Sequence, residues 1–97
     1  MEDQGEKCRA FYARVHGRVQ GVGFRYSALL EAKRLGINGW VRNTTDGEVE
    51  VWAEGLPEKL AILSGWLHRG PQLARIDSVK KEDVKPKGYK DMKVENY

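Results

Sequence analysis

From residue 8 onward, apolar and polar positions alternate. Phe11, Ala13 and Val15 fall on one parity and Cys8, Ala10, Tyr12 and Arg14 on the other, which predicts a half-buried strand over residues 8–15. Gly17-Arg18-Val19-Gln20-Gly21-Val22-Gly23 is expected to end it, since three glycines in seven residues break regular structure. The apolar spacing then lengthens. Ala28, Ala32 and Leu35 form one stripe of a helix predicted over residues 24–35, with Gly36 as its left-handed stop. Two strands follow, residues 37–43 and 48–54, and the Asp46-Gly47 pair between them marks a hairpin turn. In the second of these, Val49, Val51 and Ala53 are expected to face inward, and Glu48, Glu50, Trp52 and Glu54 outward.

A second helix is predicted to start near Pro57, which is tolerated in a first turn. Leu60, Leu63 and Leu67 supply its stripe, Trp66 lies beside them, and Gly70-Pro71 ends it. Residues 74–84 read as a strand in which Ile76 and Val79 break alternation, the mark of a bulge. A short edge strand carrying Met92 and Val94 closes the series. Strand, helix, strand, strand, helix, strand and a final edge strand predict an α+β fold. It is a ferredoxin-like α/β sandwich, with two helices on one face of a mainly antiparallel four- to five-stranded sheet.

The chain has 97 residues, of which 22 are Val, Ile, Leu or Phe, so the core is expected to be thin. Residues 1–7 are polar and are expected to form a disordered tail before a single domain over 8–97. The one cysteine, Cys8, excludes an intrachain disulfide framework and a multi-cysteine zinc site. No apolar run approaches the ~18 residues of a membrane span, and the first residues do not read as a signal peptide. A small cytoplasmic protein is expected, a monomer, with no membrane partner.

Charge changes the picture more by its distribution than by its sum. The net charge is +3, yet residues 7–45 hold eight bases (Lys7, Arg9, Arg14, Arg18, Arg25, Lys33, Arg34 and Arg42) against one acid, Glu31. Such a field attracts an anion to the first half of the chain. There the glycine-rich segment runs into a helix N-terminus, whose backbone N–H groups and dipole suit a phosphate. Gly21 and Gly23 allow close approach, and the guanidinium of Arg25 can hold two phosphate oxygens at once. The segment is neither a Walker loop nor a dinucleotide fingerprint. The alternative is a tight connection whose glycines only permit a sharp turn.

Familiar nucleophiles find little support. Cys8 lies on a strand ten residues before the nearest arginine of the glycine-rich segment, and reads as a small packed or edge residue. His16 and His68 read as structural or solvated, and no clustered Asp, Glu and His set suggests a metal. Chemistry at this segment would therefore use water and need little acid–base help.

Gly17-Arg18-Val19-Gln20-Gly21-Val22-Gly23-Phe24-Arg25 resembles the signature of the acylphosphatases, and Gly39-Trp40-Val41-Arg42-Asn43 with Asp46-Gly47 resembles their second signature. The likeness runs from about residue 8 to 96. It implies hydrolysis of acyl phosphates to carboxylate and inorganic phosphate without metal or cofactor. It also implies that Arg25 binds the phosphoryl group and Asn43 holds the attacking water. Backbone amides of Gln20, Gly21, Val22, Gly23 and Phe24 would complete the cradle. The family commonly ends in alternating apolar and aromatic residues up to a tyrosine, and here Tyr97 falls one residue out of phase.

Two other functions compete. Single-strand nucleic-acid binding uses aromatics on the open sheet face of this architecture, but Glu48, Glu50 and Glu54 around Trp52 would repel a phosphate backbone. No nucleic-acid partner is therefore expected. A non-catalytic module of a larger maturation protein would share the pattern, although both candidate catalytic residues are present.

Overall fold

The computed structural model describes residues 7–95. The expected tail and the out-of-phase Tyr97 lie, apart from Lys7, outside the described residues. The elements are β1 (Arg9–Arg18), α1 (Phe24–Arg34), β2 (Asn38–Asn43), β3 (Val49–Gly55), α2 (Pro57–Leu67), β4 (Arg75–Val84) and β5 (Met92–Glu95). They form one five-stranded sheet of order β4-β1-β3-β2-β5. Every pairing is antiparallel except that of β5 with β2, which is parallel.

The inward parity follows the sequence pattern. Phe11, Ala13 and Val15 of β1 and Val49, Val51 and Ala53 of β3 are buried beneath Ala28 and Ala32 of α1 and Leu60, Leu63 and Leu67 of α2. Small residues on α1 let it lie close to β2 and β5, whereas α2 packs with leucines on β1 and β3. The radius of gyration, 12.9 Å, is that of a close-packed chain of this size.

Two expectations are corrected. The first strand does not stop before the glycine segment; β1 runs on through Gly17 to Arg18. Its register against β4 shifts between His16 and Gly17, where Asp77 is the extra residue opposite. The chain there passes so close to β4 that a Cβ on Gly17 would lie 2.1 Å from the Arg75 carbonyl oxygen. Glycine serves here to admit a neighbouring strand rather than to break the ladder.

Nor is the outward face of β3 a solvated row of acids. Glu50 and Glu54 are only 7% and 3% exposed. Glu50 accepts from the Tyr12 hydroxyl, from Arg42 Nε at 2.7 Å and from Arg14 Nη1 at 3.2 Å. Burial pushes its carboxyl up, but the Tyr12 and Arg42 hydrogen bonds outweigh this and hold it below the ordinary range. Glu54 is enclosed by the segment before β5. Its carboxylate accepts the backbone N–H groups of Lys87, Gly88 and Tyr89 at 2.5, 3.0 and 3.1 Å, and Trp52 Nε1 at 2.8 Å. Against the upward push of burial, these bonds also leave its carboxyl below the ordinary range. On the same face Trp40 and Trp52 stack as cross-strand partners, with centroids 6.4 Å apart.

Candidate active site

Val19 to Gly23 connect β1 to α1. Gly21 (φ 76°) and Gly23 (φ 79°) both take the left-handed conformation that a side chain resists. A Cβ on either would meet nothing within 4 Å, so backbone conformation, not crowding, calls for glycine. The Ser27 N–H donates to the Gly23 carbonyl at 3.0 Å, the first such bond of α1. The N–H groups of Phe24, Arg25 and Tyr26 therefore have no intrahelical acceptor. Among the described residues, no side chain caps this end and no acid lies in the first turn.

Packing holds the turn in place. Phe24 is buried and tilts against Trp66 of α2, with ring centroids 5.3 Å apart. Gly70 leaves the room, since a Cβ there would press to 3.0 Å from the Phe24 ring. Gln20 fixes the turn from the other side. Its Nε2 donates to the carbonyl oxygens of Thr44 and Glu48, each at 2.9 Å, just beyond the end of β2.

The turn opens on a cavity of about 440 Å³ that Gly21, Gly23, Phe24 and Arg25 line together with Asn43 of β2. The side chains of Gln20 and Val22 are engaged elsewhere, Gln20 on the hairpin and Val22 against the core, which leaves the expectation for their backbone N–H groups as it stood. Asn43 ends β2 on the parity of Val41, and its Oδ1 is a buried acceptor with no hydrogen-bond partner among the described residues. Buried acceptors are nearly always satisfied, and an unmet one costs about 1–3 kcal/mol. The arrangement brings Arg25, the start of α1 with its unpaired main-chain donors, and Asn43 to the walls of one cavity.

The lopsided charge of the first half is smaller than its sequence suggests. Arg14 is engaged by Glu48, Glu50 and Asp46, Arg42 by Glu50, and Arg34 by Glu31. Among the described residues no carboxylate pairs with Arg25, which lines the cavity. Val19, Tyr26, Leu29 and Val94 also line this space and were not singled out by the sequence. Leu29 could have been, because it lies four residues from Arg25 on the same helix face. Val94 could not, because its place depends on the parallel pairing of β5 with β2.

The sequence pattern of the acylphosphatase family matches residues 11–94. An acylphosphatase of Thermococcus kodakarensis is 51% identical over 83 residues, covering 86% of this chain and 91% of its own length. One from Pseudomonas paraeruginosa is 53% identical over 77 residues, covering 79% and 85% respectively. The solved structure of an acylphosphatase from Coxiella burnetii superposes with a TM-score of 0.90 at 34% identity, over 96% of this chain and all of that one. The fold is the ferredoxin-like α+β sandwich of those structures. The chain belongs to the acylphosphatase family and is an acid-anhydride hydrolase. No helix among the described residues is long and apolar enough to cross a membrane.

Proposed function

We propose that this chain hydrolyses the carboxyl–phosphate bond of acyl phosphates, with Arg25 and the amides at the start of α1 gripping the phosphoryl group and Asn43 positioning water. The observation that carries this reading is that Asn43, whose buried Oδ1 has no partner among the described residues, lines the same cavity as Arg25. A carboxamide oxygen accepts a hydrogen bond from water and so orients its lone pair, but it is too weak a base to remove the proton.

The water oxygen forms a bond to phosphorus while the bond from phosphorus to the acyl oxygen breaks. The electron pair leaves on the carboxylate, and the water proton passes to phosphate or solvent. A free carboxylic acid ionises with a pKa of about 4, so the carboxylate departs near neutral pH without protonation. Catalysis then comes from orientation and from positive groups matched to the in-line transition state. An alkyl phosphate ester would release an alkoxide and need a general acid, a contribution of about 10²–10⁴-fold.

The test is phosphate release from a synthetic aryl acyl phosphate and from an alkyl phosphate monoester, each with chelator present. Rapid hydrolysis of the first and about 10³-fold slower hydrolysis of the second is expected. Equal rates, or loss of acyl phosphate hydrolysis on chelation, would refute the reading.

A further inference from the structure

The two halves of the candidate site sit at the ends of strands that are not neighbours. β1 leads through Arg18 into the glycine turn, β2 ends at Asn43, and β3 lies between them in the sheet. Asn43 is the last residue of β2 paired to β3, opposite Val49, and it lies beyond the last rung that β2 shares with β5. Its Oδ1 has no partner among the described residues, which leaves the placement of the carboxamide to the backbone at the end of β2.

One rung back, the outer face carries a row of side chains that spans all three strands. Glu50 of β3 stands opposite Arg14 of β1 and opposite Arg42 of β2. Its carboxylate is shared between the flanking strands. Oε1 accepts from Arg42 Nε at 2.7 Å, and Oε2 accepts from Arg14 Nη1 at 3.2 Å and from the Tyr12 hydroxyl. Both guanidiniums are also held from a second side. Arg14 Nε donates to Glu48 at 2.7 Å, and the Arg42 guanidinium lies 4.8 Å from the centre of the Trp40 ring. Because Glu50 is buried, these charged hydrogen bonds are stronger than those of an exposed ion pair.

Cross-strand pairs often do no more than stabilise a sheet. This row differs in its position: Arg42 is the chain neighbour of Asn43, and Tyr12 and Arg14 lie on the strand that runs into the cradle. We propose that Glu50 is a positioning residue for the reaction. By bracing Arg42 against β1 it fixes the end of β2, and with it the direction in which Asn43 presents its carboxamide to the attacking water. The proposal rests on the acyl phosphate reading above. Glu50 and Arg42 do not line the cavity of Arg25, so the effect passes through the backbone of β2. Losing the brace lowers turnover without loosening the grip on phosphate, which Arg25 and the start of α1 supply.

The experiment is a double-mutant cycle on kcat for an aryl acyl phosphate, in the parent, Glu50→Gln, Asn43→Ala and the double variant, with inhibition by inorganic phosphate measured in each. Glu50→Gln keeps the shape but sets an amide N–H against one of the three donors. Circular dichroism and a urea midpoint establish which variants are folded. Glu50→Gln is expected to lower kcat about tenfold with phosphate inhibition near the parent's, and to change kcat little once Asn43 is alanine. A purely structural role would lower kcat equally in both backgrounds. That result, a parent-like kcat in Glu50→Gln, or a loss of phosphate inhibition overturns the positioning role and leaves the acyl phosphate reading intact. If Glu50→Gln does not fold, Arg42→Gln, which leaves Glu50 bonded to Tyr12 and Arg14, replaces it in the same cycle with the same expected and contrary results. Asn43→Ala that turns over like the parent removes the role of Asn43 and the positioning role with it.

Discussion

The side-chain amide of Gln20 donates to the main-chain carbonyl of Thr44 at 2.9 Å, tying the glycine turn to the hairpin that carries Asn43. A second bond of the same length, to Glu48, grips the hairpin's other strand. The cradle and the carboxamide lie about twenty residues apart in sequence, and this side chain ties them together. Gln20→Leu removes both bonds and leaves two carbonyl oxygens without that donor. Displacements near 1 Å at a reacting centre cost up to about 10²-fold in rate. We expect kcat to fall about tenfold or more, with inhibition by inorganic phosphate largely retained. A parent-like kcat would show that the tether is dispensable.

Two glycines separate conformational from steric demand. Gly23 has φ 79° and open space where a Cβ would be, so Gly23→Ala carries only the left-handed penalty of about 1–2 kcal/mol. Gly39 has φ 141°, and a Cβ there would lie 1.9 Å from the Trp52 carbonyl oxygen. Gly39→Ala must push β2 from β3 and is expected to cost about 4 kcal/mol or more. Urea denaturation of both variants checks the order. Comparable losses would mean that β2 can move aside freely.

Acid should loosen the outer face first. The Glu50 and Glu54 carboxyls are held below their ordinary range in the folded protein. As pH falls through the acidic range, the unfolded chain therefore binds protons that the folded chain refuses, and stability drops. The contribution is fully present above the unfolded carboxyl value, about 4.3, and is lost as pH falls through the lower folded values. Urea midpoints between pH 6 and pH 3 should decline below about pH 4.5, and Glu54→Gln should flatten the decline. That variant should also lose about 1–3 kcal/mol at pH 7, where the carboxylate meets three backbone donors and an indole. A midpoint that stays constant to pH 3 would contradict this account.

What the sequence discloses depends on how local the cause is. The alternation of Val49, Val51 and Ala53, the Asp46-Gly47 turn and the Gly36 stop each act within a few residues, and each fold element could be read from them. The turn at Gly21 and Gly23 ahead of Arg25 was legible for the same reason, and its reading as an anion site is part of the proposed function. Glu50 and Glu54 were misjudged because their burial is non-local. The first meets Tyr12 and Arg14 from a neighbouring strand, and the second meets backbone amides more than thirty residues away. The apparent basic field of the first half shrank partly on the same account, since Arg14 and Arg42 find Glu50 on the neighbouring strand. Gly17 was misjudged too, because its role lies in the proximity of Arg75 rather than in the bend of its own chain.

The central claim is that one cavity divides the work between Arg25, which grips the phosphoryl group, and Asn43, which orients water. The most direct measurement is turnover of an aryl acyl phosphate beside inhibition by inorganic phosphate, in Arg25→Ala and Asn43→Ala. Arg25→Ala should lose both, whereas Asn43→Ala should lose about 10²-fold or more in kcat and still bind phosphate with near-parent affinity. Asn43→Ala that turns over like the parent, or Arg25→Ala that keeps its affinity for phosphate, would contradict the account.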